Sequence, residues 1–259
     1  MENILRILVS NDDGIDSKGI LVLAKKLKEL GEVLVVAPRT EQSAVGHAIT
    51  MKTPVRLTEY HINNDFFGYA VDGTPADCVK MGIKNIMNDL PDIVISGINN
   101  GSNAAINIIY SGTVSAAREA AIMDVPAIAV SVASHDVTEF DYAAEIAMEL
   151  AKEVVEKGIT PGTLLNINVP DKPREQIKGI KITKQGLSKW DDRFEERIDP
   201  YGKKYYWLTG TIIDLDKDLN RDHFALKNDY VTITPIHFDL TDYDMYKKML
   251  DWNINSFEV

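Results

Sequence analysis

Residues 5–14 read Leu5-Arg6-Ile7-Leu8-Val9-Ser10-Asn11-Asp12-Asp13-Gly14. A run of strand length, mostly apolar, breaks off into a polar, acidic, glycine-bearing turn. Beyond the turn the apolar period changes. Ile20, Leu23, Ala24, Leu27 and Leu30 recur at helical spacing, and Gly31 stands where a glycine ends a helix. Val33–Ala37 (VLVVA) is a second buried run, stopped by Pro38. Strand, helix, strand, with strands apolar on both faces, predicts a parallel sheet covered on two sides. Right-handed crossovers then make it doubly wound.

The same alternation runs on to about residue 170. Residues 39–54 read as a loop, and Leu57–Tyr60 and Phe67–Val71 as short, less buried strands. Thr74-Pro75-Ala76-Asp77 opens a helix, with Thr at the N-cap, Pro at the first helical position and Asp two residues on. Asp92–Ser96 is a strand, Thr113–Met123 an Ala-rich helix, Ala127–Val132 a strand, Asp141–Glu156 a helix and Leu164–Val169 a strand. After Pro170 the texture changes. Ile180–Thr183, Tyr205–Thr211 and Tyr230–Ile236 are β-like between long polar stretches, and Thr241–Trp252 reads as a final helix. The expected organisation is one domain over 1–259. Its α/β core spans 1–170, and 171–259 is an extension that packs on a partner subunit.

Composition narrows the function. The chain has 259 residues, 45% of them apolar and 26% charged, with a formal net charge of −11. An acidic chain is a poor ligand for long polyanions, so nucleic acid is not an expected partner. A small phosphate held locally remains compatible with that charge. No apolar run is long enough to cross a membrane. The acidic N-terminus, Met1-Glu2-Asn3, is unlike a secretory signal, and Cys78 is the only cysteine. A cytoplasmic location is expected.

In open α/β sheets ligands bind beyond the carboxyl ends of the strands. Four polar, glycine-bearing segments fall there: Ser10 to Gly14, Glu41 to His47, Gly97 to Asn103, and Tyr110 to Ser115. Asp12 and Asp13 are adjacent carboxylates that call for a cation. Ser43 and Asn99 could add neutral oxygens, a donor set suited to a hard divalent ion such as Mg²⁺. Ser111-Gly112-Thr113 opens a helix and offers backbone N–H groups to an anion. Each segment alone has a plainer reading: an N-cap, a turn, a helix cap. Their coincidence on one sheet edge points to metal-assisted phosphoryl chemistry on a small molecule. His47 and His237 read as structural, and Asp191-Asp192 and Glu195-Glu196 as a solvated charged surface.

Several alternatives fail on the same residues. A haloacid-dehalogenase-type phosphatase needs two aspartates one residue apart, whereas Asp12 and Asp13 are adjacent and position 15 is Ile. A dinucleotide enzyme needs a glycine-rich turn after the first strand. A receiver-type regulatory module needs an aspartate in the loop occupied here by Ser96-Gly97-Ile98-Asn99.

Five segments in register resemble the survival protein SurE family. They are Asn11-Asp12-Asp13-Gly14, Ser43 to His47, Gly73 to Val79, Ser96 to Asn103, and Ser111 to Ala117. Leu165 to Pro170 and Ile233 to Ile236 fit as well. Asn100-Gly101-Ser102 is a local variation that leaves Asn99 and Asn103 in place. The resemblance implies a Rossmann-like fold with a β-hairpin and a C-terminal helical arm exchanged between subunits of a homodimer or homotetramer. It implies a 5′-nucleotidase, active also on 3′-nucleotides and short polyphosphate in some members. It implies one divalent ion, Mg²⁺ or Mn²⁺, on Asp12, Asp13, Ser43 and Asn99. Asp12 and Asp13 would serve catalysis. Asn99, Asn103, Ser111, Gly112 and Thr113 would hold the substrate phosphate.

Overall fold

The computed structural model describes residues 4–252. Residues 1–3, and residues 253–259 of the expected arm, lie outside it. β1 (Leu5–Ser10) leads through α1 (Lys18–Leu27) to β2 (Gly31–Pro38). After an irregular stretch, β3 (Leu57–Ile62) and β4 (Asp65–Val71) form a hairpin, succeeded by α2 (Pro75–Met81), which runs on into a π-helical turn at Gly82–Ile86. β5 (Ile93–Asn100), α3 (Asn107–Tyr110), α4 (Gly112–Ile122), β6 (Ala127–Val132), α5 (Asp141–Lys157) and β7 (Thr163–Val169) complete the alternating part. Then come β8 (Ile180–Ile182), β9 (Lys189–Ile198), β10 (Lys204–Ile213), α6 (Asp222–Lys227), β11 (Val231–His237) and α7 (Tyr243–Leu250).

Nine strands form one sheet in the order β3-β4-β2-β1-β5-β6-β7-β11-β8. The central strands β2, β1, β5, β6 and β7 are parallel to one another, and β11 runs antiparallel to β7. Period-two alternation explains why the strands are apolar throughout. Ile7 and Val9 point into a core shared with α1 and α5, while Leu8 points to the opposite core under α2 and α4. The expected doubly wound α/β architecture is what is found.

Local capping agrees with the sequence. Thr74 and Asp77 close a reciprocal capping box at α2, with Pro75 at the first position. Ser111 caps α4, its hydroxyl accepting from the Val114 N–H at 3.0 Å.

Three readings need correction. Gly31 does not end α1, which stops at Leu27. It starts β2 beside Leu5, where a Cβ would come within 2.1 Å of the Leu5 carbonyl oxygen. β5 runs on to Asn100 instead of stopping at Ser96, so Asn99 lies on a strand and not in a loop. Nor does the sheet finish near residue 170, because β8 and β11 add two strands to it.

The hairpin expected in the extension is β9 with β10, paired in register from Lys189↔Ile213 to Ile198↔Lys204. Its first strand carries the Asp191-Asp192 and Glu195-Glu196 pairs, which are exposed as expected but form part of a strand.

Candidate functional site

The carboxyl ends of β1 and β5, the segment after β2 and the first turn of α4 meet at Asp12. This side chain is 4% exposed. Thr113 Oγ1 donates to Asp12 Oδ1 at 2.5 Å. Gly112 lies flat against the same carboxylate, where a Cβ would sit 2.8 Å from Oδ2. Only glycine lets the helix end approach this closely. The Asp12 carbonyl accepts from the Gln42 N–H at 2.7 Å, which ties the Ser43 segment to the same corner.

Electrostatics mark the pair as unusual. Burial raises the Asp12 carboxyl above its ordinary value, against the pull of the Thr113 hydroxyl and of backbone N–H groups at the start of α4. Asp13 is pushed up to about 7, by burial first and then by the Asp12 and Glu41 charges, while the Asn100 N–H at 3.2 Å pulls it down. Two buried like charges side by side resist ionising together.

The other expected residues are placed less uniformly. Asn99, on β5, is buried and donates its amide N–H to the Gly101 carbonyl at 2.7 Å. Ser43 is exposed, and its hydroxyl donates to Glu41. Ser111 serves as the α4 cap, and because it accepts in that bond its own proton stays available. Asn103 is not bonded to any other residue of the expected site. Its amide donates to Ser131 Oγ at 2.8 Å, its N–H to Asn168 Oδ1 at 2.7 Å, and its carbonyl accepts from Asn166 at 2.7 Å. The loop is thereby pinned to the ends of β6 and β7.

The donor set at the Asp12 corner is all oxygen: two carboxylates, a hydroxyl and an amide. Among the described residues no group of three or more His, Cys, Asp or Glu side chains is placed to hold a metal ion. Two carboxylates with neutral oxygens are a donor set that would suit a hard divalent cation and not a soft one.

Sequence reasoning missed the supports of the site. Glu119, buried on α4, accepts from His47 Nε2 at 2.8 Å and from Lys80 Nζ. Burial would raise its carboxyl, but the His47 and Lys80 bonds outweigh that and hold it below the ordinary range. His47 is thus structural, as the sequence suggested, and it fastens the Ser43 segment to α4. Asp77 does the same at α2, accepting the Thr50 N–H at 3.0 Å as well as closing its own capping box. A lone acid on an Ala-rich helix was the available signal for Glu119, since a buried charge needs a partner.

The family model described as Survival protein SurE matches residues 7–192. The 5′-nucleotidase SurE of Syntrophobacter fumaroxidans is 49% identical over 250 residues, covering 96% of this chain and 100% of that protein. The 5′-nucleotidase SurE of Alkaliphilus metalliredigens is 46% identical over 252 residues, covering 96% of this chain and 99% of that protein. The crystal structure of the SurE protein from Aquifex aeolicus superposes with a TM-score of 0.81 at 41% identity, covering 94% of this chain and 97% of that one.

Proposed function

The chain belongs to the survival protein SurE family, and from that premise we propose that it is a metal-dependent 5′-nucleotidase. It hydrolyses nucleoside monophosphates to nucleoside and phosphate, with 3′-nucleotides and short polyphosphate as further substrates. The observation that carries this reading is the contact of Asp12 with Gly112 and Thr113. It sets the buried Asp12 carboxylate, with Asp13 next to it in sequence, directly against a helix amino end, so candidate cation ligands and anion donors share one corner.

Asp12, Asp13, Ser43 and Asn99 would hold one divalent ion, Mg²⁺ or Mn²⁺. When bound, that ion neutralises phosphate charge and makes a water molecule more acidic. The chain supplies the rest. Thr113 fixes the rotamer of Asp12 through its hydroxyl. One of the two carboxylates, Asp12 or Asp13, would orient the attacking water or take its proton. The Ser111 hydroxyl and the N–H groups at the start of α4 donate to the phosphoryl oxygens, where negative charge is concentrated. Asn99 and Asn103 would help to hold the phosphate.

The exposed apolar residues of the hairpin and of α7 support assembly as a homodimer or homotetramer. Phe194, Trp207, Leu208, Tyr243 and Leu250 are all more than half exposed. No described helix is long and apolar enough to cross a membrane. A cytoplasmic site of action fits the single cysteine.

Single turnovers on adenosine monophosphate carrying a radiolabelled phosphate, quenched in acid, test the mechanism. All label is expected as free phosphate or unreacted nucleotide. Label held on an aspartate of the denatured chain would replace water attack with an aspartyl-phosphate route.

A further inference from the structure

The loop from Asn103 to Ser111 carries residues assigned to the substrate phosphate, and it is held from the far side by the C-terminal half of the chain. Ala105 has a left-handed backbone, φ +51°, which a residue with a side chain adopts at a cost. Its N–H donates to both carboxylate oxygens of Asp222, at 3.2 and 3.1 Å. Its carbonyl accepts from Gln185 Nε2 at 2.9 Å. Two residues on, Asn107 Oδ1 accepts from the indole N–H of Trp190 at 2.8 Å, and the same side chain donates to the Ser102 carbonyl at 3.3 Å.

Asp222 is completely buried. Besides Ala105 it accepts the Gly186 N–H at 2.7 Å and the His223 N–H at 2.6 Å. A Cβ at position 186 would sit 2.8 Å from its Oδ1, so Gly186 is what lets the segment leading into the hairpin approach. One buried carboxylate thus joins the phosphate loop, the root of β9 and the start of α6. Gln185 and Trp190 belong to that same root. The site machinery at Asp12 makes no use of these residues.

We infer that Asp222 is a positioning residue for substrate phosphate. Through Ala105 it sets the course of the loop between Asn103 and Ser111, and Gln185 and Trp190 tie that course to the hairpin. The inference rests on the reading of this loop as phosphate-binding. Its physical basis is the donor geometry: the Gly186, His223 and Ala105 N–H groups all reach Oδ1, and the Ala105 N–H alone is shared with Oδ2. Asparagine at 222 would turn an amide N–H₂ toward a backbone donor, leaving a buried group unpaired.

The test uses the full chain with Asp222→Asn, Gln185→Ala and Trp190→Phe. Three quantities are measured: the dissociation constant of inorganic phosphate in the presence of Mn²⁺, KM and kcat on adenosine monophosphate, and the dissociation constant of Mn²⁺ alone. For Asp222→Asn the phosphate constant and KM should both rise about tenfold, with Mn²⁺ affinity within about twofold of wild type. Gln185→Ala and Trp190→Phe should move the phosphate constant in the same direction by less. Their double variant should show coupling, because both act on one loop. Folded variants with lowered melting temperature but unchanged phosphate constant and KM would make Asp222 merely structural. If Asp222→Asn does not fold, the other two variants decide, and an unchanged phosphate constant in both overturns the inference. Wild-type turnover of adenosine monophosphate checks the parent reading separately. A wild-type protein that hydrolyses it normally, paired with indifferent variants, refutes only the positioning role.

Discussion

The carboxyl edge of the sheet and the β9–β10 hairpin treat polarity in opposite ways. At the edge, polar groups are buried and bonded to partners far away in sequence: Asp12 to Thr113, Asn103 to Asn168, Ala105 to Asp222. On the hairpin, apolar groups are exposed, with Phe194 at 71% and Leu208 at 61%, and bonds such as Glu196 with Lys204 are local. The edge is specified within one chain, since its buried polar groups find their partners there. The hairpin is a paired ribbon whose faces are left for another surface, which is the pattern expected of an assembly element.

The strongest way to break that contrast is Asp12→Asn. It removes one anionic ligand and places an amide N–H₂ beside the N–H groups of α4. Turnover of nucleoside monophosphates should fall by roughly a thousandfold or more, together with Mn²⁺ affinity. Near-wild-type turnover with metal still bound would remove Asp12 from the site.

The hairpin offers the converse experiment. Charged replacements such as Trp207→Glu with Leu208→Glu should leave far-ultraviolet circular dichroism unchanged, because the nine-stranded sheet does not include β10. The mass measured by light scattering should drop to a smaller species. An unchanged mass would take assembly away from this ribbon.

Glu119→Gln probes the join between the two site-bearing segments. Losing a buried carboxylate that accepts from His47 and Lys80 should cost about 1–3 kcal/mol of unfolding free energy in urea. Glu149→Gln, which breaks an exposed pair with Lys152, should cost under about 0.5 kcal/mol. Equal effects would mean that burial at Glu119 does not set its worth.

A further contrast is a pH dependence. Asp13 in the metal-free fold is pushed up to about 7, whereas its ordinary value is 3.8. Between those values the native chain holds a proton that the unfolded chain has released. Stability of the metal-free protein should therefore fall as pH rises from about 4 to about 7. Added Mn²⁺ should oppose the loss, and Asp13→Asn should flatten it. Urea midpoints at pH 5 and pH 8, with and without the ion, read this directly. A midpoint for the metal-free protein that increases with pH, equally in wild type and Asp13→Asn, would contradict the assignment.

These contrasts also explain what the sequence disclosed. Strands buried on both faces betray themselves as unbroken apolar runs, and Thr74-Pro75-Ala76-Asp77 announces a helix by local chemistry alone. Asp12, Asp13, Ser111 and Thr113 were legible because a sheet's topology says where strand ends go. β9 was not, since a ribbon exposed on both faces has no burial to impose alternation on Lys189–Ile198. Gly31 misled because the constraint on it comes from Leu5, a contact that only the folded sheet creates. What Glu119 and Asp222 pair with was hidden for the same reason. Their partners lie 72 and 117 residues away, and no local pattern announces a pairing at that distance.

One measurement bears most directly on the central claim. Phosphate release from adenosine and guanosine monophosphate is monitored with Mg²⁺ or Mn²⁺, and again after chelation. Multiple turnovers with the ion and their loss on chelation, restored by adding the ion back, are the predicted result. No release with any divalent ion, or release indifferent to chelation, would contradict it.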